Sequence, residues 1–177
     1  MVTMHADLTE LAAAAGIFSD PFRLLIRERA GSTNDEARDL ALAGAPAGLV
    51  VLALEQTQGR GRRGNRWFAP PAESLAFSVV LRPEAPRSLW PRLALAAGLA
   101  VAEAAGHFGV EAGIKWPNDI WIRDRKAAGI LVEAGEDFVI VGIGINVNAE
   151  SFPPDVAATA TSLHREAGAP VARDALL

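Results

Sequence analysis

The chain has 177 residues, 50% of them hydrophobic and 21% charged, enough for one domain with a core of its own. The lack of cysteine excludes disulfides, thiol nucleophiles and Cys-based zinc sites, and a net charge of −4 argues against general binding to nucleic acid or anionic membranes. The longest apolar stretch, 93–102, is far short of the ~18–20 residues that cross a bilayer, and the N-terminus lacks the basic segment of a signal peptide, so a cytoplasmic protein is expected.

In chain order, 7–15 reads as a short helix closed by Gly16, and 22–28 as a strand. Ser32, Thr33 and Asn34 open a helix running to Ala43, with Thr33 and Glu36 at capping-box spacing and Gly44 as the stop. The continuous apolar run 49–54 fits a strand buried on both faces. Residues 56–71 have no apolar period and are rich in Gly, Arg and Pro; they read as a long loop, a kind that is usually functional or disordered. A strand follows at 75–81, then a long Ala/Leu helix capped by Ser88, with Pro91 in its first turn and its end near Gly106. Three strands come next, 114–122, 127–134 and 138–147, separated by turn sequences at 123–125 and 135–137, which predicts an antiparallel meander. A short helix at 161–167 and the first turns of another at 171–177 complete an α+β domain, with helices packed on a mixed, mostly antiparallel sheet.

The densest chemical signal lies in Gly59-Arg60-Gly61-Arg62-Arg63-Gly64-Asn65-Arg66-Trp67, which holds four arginines and no acid. A solvated basic loop and a nucleic-acid arm are two readings of such a cluster. The interleaved glycines, which let backbone amides approach a ligand, and the guanidinium forks favour a compact anion site. Trp67 adds a face that could stack on a base.

A second signal is the lysine count. Of 17 basic residues only two are lysines, Lys115 and Lys126. A chain that uses arginine for ordinary charge has kept a compact ammonium at two strand ends, which fits tight pockets that a guanidinium does not enter. Asn118 and Asp119 after Pro117 read either as a turn or as a phosphate-facing pair, with Asp119 a candidate Mg²⁺ ligand beside substrate phosphates. Gly142 and Gly144 inside a strand mark a bulge, tight packing, or a place where a ligand or another backbone comes close.

Four motifs in this order resemble the biotin protein ligases: Ser32-Thr33-Asn34, then Gln56 with the Gly59 to Gly64 loop, then Lys115-Trp116-Pro117-Asn118-Asp119, then Lys126 with Gly129-Ile130-Leu131. The glycine-containing strand through Asn146 follows as it does in that family, and the resemblance spans 22–148. It implies a class II synthetase or biotin–lipoate ligase-like fold and a two-step reaction. Biotin is activated by Mg·ATP to biotinyl-5′-AMP, and a lysine of a biotin carboxyl carrier domain then takes the biotinyl group. Carried over residue by residue, Ser32, Thr33, Asn34, Gln56, Arg60, Gly61, Arg62 and Lys126 would bind biotin, with Lys126 and Arg62 at the reacting carboxylate and phosphate. Arg63, Trp67, Lys115, Asn118, Asp119 and Asn146 would form the ATP side, with Mg²⁺ the cation of the nucleotide and Asp119 its candidate ligand.

The resemblance is to enzyme-only members: no winged helix precedes Ser32, so DNA binding is not expected. Residues 1–177 read as the single catalytic domain, without the small C-terminal β-barrel of bacterial members, either as an enzyme that lacks it or as a truncated chain, while a homodimer is compatible with the family. The loop ends Gly64-Asn65-Arg66, where Arg-Lys or Arg-Arg is commoner. A lipoate-type ligase and a non-catalytic biotin or adenylate binder are the neighbouring readings.

Overall fold

The computed structural model describes Thr9, Leu11, Ala12, Gly16, residues 18–68 and residues 70–177. The helix predicted at 7–15 lies largely outside the described residues; of it, Thr9, Leu11 and Ala12 are helical, and Leu11 is buried in the core.

Seven strands form one sheet in the order β1-β2-β3-β7-β6-β5-β4. They are β1 (Arg23–Ala30), β2 (Leu49–Gln56), β3 (Ser74–Leu81), β4 (Gly113–Lys115), β5 (Asp119–Ile122), β6 (Arg125–Ala134) and β7 (Val139–Asn146). Only β1 and β2 run parallel, joined by helix α1 (Thr33–Leu42), and every other neighbouring pair is antiparallel. The mixed, mostly antiparallel sheet expected from the sequence is therefore present. Helix α2 (Leu93–Gly106) and the short α3 (Leu163–Ala167) and α4 (Arg173–Leu176) complete the fold. Among the described residues no helix is long and apolar enough to cross a membrane.

Strand alternation divides the core into two layers. Val51 of β2 and Ile140 of β7 pack with Ala37 and Ala41 of α1, whereas their chain neighbours Leu52 and Val141 join the larger cluster with Val101 and Ala105 of α2. The sheet thus has an α1 face and an α2 face.

Three local predictions are corrected. The capping box at Thr33 does not form: Ser32 is the N-cap with no side-chain cap bond, the Thr33 N–H is taken by Gln56, and Glu36 pairs with Arg27 of β1 instead. A reach across to β1 thus wins over the local contact. The Ser88 cap is also absent. Residues Arg87–Arg92 form a 3-10 turn containing Pro91, with the Trp90 indole N–H donating to the Ala85 carbonyl at 2.9 Å, and α2 begins a turn later.

Finally, 114–122 is not one strand. The chain reverses through Trp116, Pro117 and Asn118, so that Lys115 pairs with Asp119 in a tight hairpin. Apolar residues on both sides of the turn disguise it in sequence, but a proline cannot donate within a ladder.

Candidate active site

A cavity of about 310 Å³ opens on the α1 face, within the size range of small-molecule sites. Its floor is β6 and β7, one wall is the N-terminus of α1 with the end of β2, and residues 59–67 form its cover.

The floor exists because side chains are missing from it. Gly129 and Gly144 lie opposite each other on β6 and β7, and Leu131 faces Gly142 in the same ladder. A Cβ on Gly144 would fall 2.4 Å from the Trp67 ring, and one on Gly142 would fall 2.0 Å from Asn34 Oδ1. One side chain of the wall and one of the cover therefore occupy space that any other residue at 142 or 144 would fill. The close approach predicted for these glycines is by the chain's own side chains.

The polar wall is a connected network. Gln56 Oε1 accepts from the Thr33 N–H at 2.8 Å and from Thr33 Oγ1 at 3.1 Å, so the end of β2 satisfies the open N-terminus of α1. Ser78 Oγ, fully buried on β3, lies 2.6 Å from Asn34 Oδ1 and 2.8 Å from Thr33 Oγ1. Each hydroxyl has one proton: that of Ser78 goes to the amide oxygen at the shorter contact, and that of Thr33 is shared between Ser78 Oγ at 2.8 Å and Gln56 Oε1 at 3.1 Å. Asn34 Nδ2 then points to Glu133 Oε2 at 2.7 Å and the Leu131 carbonyl at 3.3 Å. Ser32, Thr33 and Asn34 are each at most 4% exposed, and the network pairs the buried side chains of Thr33 and Asn34.

The cover is more ordered than a bare loop. Arg60 and Arg66 bridge in antiparallel fashion, the Gly61 N–H donates to the Asn65 carbonyl at 2.7 Å, and Arg62–Gly64 makes a 3-10 turn at the tip. The glycines divide the work differently from the sequence reading. Gly59 is needed because a Cβ would meet the Trp67 carbonyl at 2.5 Å, and Gly64 has φ +78°, but Gly61 is neither crowded nor strained.

Arg60 is held by Asp35 at 2.6 Å and Glu133 at 2.9 Å. Arg62 donates to the neutral Asn118 Oδ1 at 3.0 Å, and Asn118 in turn donates from Nδ2 to the Ile130 carbonyl at 2.8 Å. Among the described residues Arg62, Arg63 and Arg66 have no carboxylate partner, and all three are exposed at the cavity.

Lys126 reaches the cavity through a bulge. Ile120 of β5 faces Ala128, but Trp121 faces Lys126, so Ala127 is the extra residue. The Lys126 backbone is clamped by the Thr159 carbonyl and the Thr161 N–H, at 2.8 and 2.9 Å. Its Nζ is 2.7 Å from Asp119 Oδ1 and 5.6 Å from the Trp67 ring centre. Both members of this ion pair are partly solvated, a setting in which such a pair contributes little to stability. Trp67 Nε1 is buried and has no acceptor among the described residues.

Burial pushes the Glu133 carboxyl up, but the Asn34 hydrogen bond and the charges of Arg38 and Arg60 outweigh it and hold the group below its ordinary value of 4.5. Asp119 is the one acid lining the cavity, it is committed to an ammonium, and no group of three metal-binding side chains occurs among the described residues. These residues do not fit a resident Mg²⁺ site, which uses one or two free carboxylates.

The cavity brings together Ser32, Thr33, Asn34, Gln56, Arg60, Gly61, Arg62, Arg63, Trp67, Asn118, Asp119 and Lys126, as expected from the sequence. Two expected residues are placed elsewhere. Lys115 lies over the Trp121 ring, 3.3 Å from its centre, in a separate open groove, while Lys126 holds the Asp119 carboxylate. Asn146 is buried outside the cavity and donates to the Thr161 carbonyl at 3.0 Å. Sequence reasoning missed Ser78 and gave Glu133 no role, since both connect to the site only through tertiary contacts from β3 and β6.

Sheet order, glycine floor, polar wall and arginine cover meet in one cavity of small-molecule size, and comparison with known proteins shows the family. The chain belongs to the Biotin/lipoate A/B protein ligase family, whose model matches residues 27–148. It is 42% identical over 160 residues to the bifunctional ligase/repressor BirA of Bacillus spizizenii, covering 85% of this chain and 49% of that one. It is 42% identical over 139 residues to the biotin–[acetyl-CoA-carboxylase] ligase of Mycobacterium tuberculosis, covering 75% of this chain and 52% of that one. The structure of the Aquifex aeolicus biotin protein ligase in complex with biotin and ATP superposes with a TM-score of 0.77 at 33% identity, over 86% of this chain and 66% of that one. The chain spans about half the length of the curated relatives it matches.

Proposed function

We propose that this chain activates biotin with ATP and transfers it to a lysine of a biotin carboxyl carrier domain. The observation that carries the reading is one cavity whose two ends have opposite chemistry. The Thr33-Asn34-Gln56 wall is neutral and hydrogen-bonding, and suits a ureido ring. The opposite end holds Lys126 with three arginines that no carboxylate neutralises among the described residues, and suits two anions that must meet. Ligases of the family solved with biotin and ATP, and with biotinyl-5-AMP, support the same substrates here.

In the first step a biotin carboxylate oxygen attacks the α-phosphorus of Mg·ATP. The carboxylate–phosphorus bond forms, the bond to the bridging oxygen breaks, and pyrophosphate leaves. Negative charge accumulates on the phosphoryl oxygens, where Lys126 and Arg62 act; donors aimed at developing charge typically supply ~10²–10³ in rate each. The bulge that re-aims Lys126 and the clamp on its backbone hold that ammonium in place before the substrates arrive. Trp67 closes the site from water, which protects the mixed anhydride. In the second step a neutral lysine amine of the carrier attacks the acyl carbon, AMP leaves, and the amine proton passes to solvent. Mg²⁺ enters with the nucleotide as part of the substrate.

The test is biotin-dependent exchange of labelled pyrophosphate into ATP, followed by transfer to a carrier domain. Exchange and transfer with biotin are expected. Exchange with lipoate instead would assign the chain to the lipoate-type ligases, and biotin binding with no exchange would make it a binder.

A further inference from the structure

Glu133 lines neither end of the cavity, yet its carboxylate ties three parts of the site together. Oε2 accepts from Asn34 Nδ2 at 2.7 Å and Arg60 Nη2 at 2.9 Å, while Oε1 accepts from Arg60 Nη1 at 3.2 Å and Arg38 Nη2 at 2.9 Å. The Arg60 contact is a bidentate fork, the geometry that fixes a guanidinium most tightly. Because the Asn34 oxygen is held by Ser78 and its nitrogen by Glu133, the amide has one orientation. The cover's inward polar contacts are those of Arg60, which has this fork and an ion pair with Asp35 at 2.6 Å, and the neutral contact from Arg62 to Asn118.

We propose that Glu133 is a positioning residue that docks the arginine cover through Arg60 and orients the Asn34 amide, so that wall and cover stand in their binding geometry before any ligand arrives. The proposal rests on the ligase reading only for its kinetic consequence. Its structural consequence is independent of that reading, and the lowered carboxyl pKa supports the charged form on which the fork depends.

A merely structural acid at this position would lower overall stability and change nothing specific to the cover. A positioning acid would release the cover and weaken ground-state binding, since Asn34 and Arg60 act on the bound substrate and not on the phosphoryl transfer.

The experiment is Glu133→Gln in the full chain, read three ways. Trypsin cleavage within residues 60–66, mapped by mass spectrometry without ligand, should be about fivefold faster than in the wild type, with cleavage elsewhere unchanged. About fivefold is the change from charge-assisted to neutral hydrogen bonds at the Glu133 fork while the Arg60–Asp35 and Arg62–Asn118 contacts stay in place. The KM for biotin should rise by a similar factor with kcat within about twofold, the pattern of lost uniform binding. Adding Glu133→Gln to Arg60→Gln should not speed cleavage further.

Unchanged cleavage at 60–66 would overturn the proposal, as would a uniform rise at all sites with a fall in Tm. So would additive effects in the double variant. If the wild type shows no biotin-dependent turnover, the ligase reading fails while the cleavage results still decide the role of Glu133.

Discussion

The two faces of the sheet use the same strands and differ in what their alternate residues contribute. On the α2 face, β7 offers Val141, Ile143 and Ile145 to an apolar cluster containing Leu52, Ile120, Val101 and Ala105. On the α1 face, β7 starts the same way, with Ile140 against Ala37 and Ala41, and then supplies only Gly142 and Gly144. Fully burying one aliphatic side chain is worth roughly 1.5–3 kcal/mol, so two such contributions are given up over a few ångströms of strand. Asn34 and Trp67 fill that space, and each brings polar atoms that need partners. One face is a core that excludes water; the other becomes a site where its strands lose their side chains.

Four variants or conditions test that contrast. The largest effect on stability belongs to the α2 face. Leu52→Ala, at a site 1% exposed, should cost about 2–5 kcal/mol in urea unfolding and leave turnover per folded molecule unchanged. Lys126→Ala should do the reverse: adenylation falls by ~10²–10³ in pyrophosphate exchange, while the unfolding midpoint stays near the wild type. Exchange at the wild-type rate would remove Lys126 from the reaction.

Ser78→Ala sits between the two, since it removes a fully buried hydroxyl and leaves Asn34 Oδ1 without its donor. It should destabilise by ~1–3 kcal/mol and also weaken biotin binding; a stability loss with unchanged affinity would separate the network from the site.

The smallest effect is the pH dependence of Glu133. A carboxyl whose folded pKa lies below its ordinary value stabilises the fold fully above that value and less as pH falls through the folded one. The stability difference between wild type and Glu133→Gln should therefore be constant near neutrality and shrink below pH 4.5. A difference that persists to lower pH would mean that charge is not what Glu133 contributes.

Much of the site was legible because its chemistry is local in sequence. The arginine loop, the α1 start, Asn118-Asp119 and Lys126 each announce themselves within a few residues, and the cavity gathers them. What was not legible depends on partners brought from elsewhere. The Thr33 and Glu36 spacing matches a capping box, yet Gln56 and Arg27 from neighbouring strands take both groups. The two lysines looked equivalent by composition, but a tight hairpin puts Lys115 over Trp121, and a bulge turns Lys126 toward Asp119. No single-sequence signal separates those outcomes, because each is set by register between strands.

The proposed function requires that biotin bind at the glycine-floored α1 face and at no other surface. Calorimetric titration of biotin into Gly142→Ala, with Leu52→Ala as the control on the opposite face, tests it most directly. A Cβ at 142 would displace Asn34, so affinity should fall by about tenfold or more, the loss of one ~1.4 kcal/mol polar contact, while Leu52→Ala binds as tightly as the wild type. Equal affinity in Gly142→Ala and the wild type would contradict the claim.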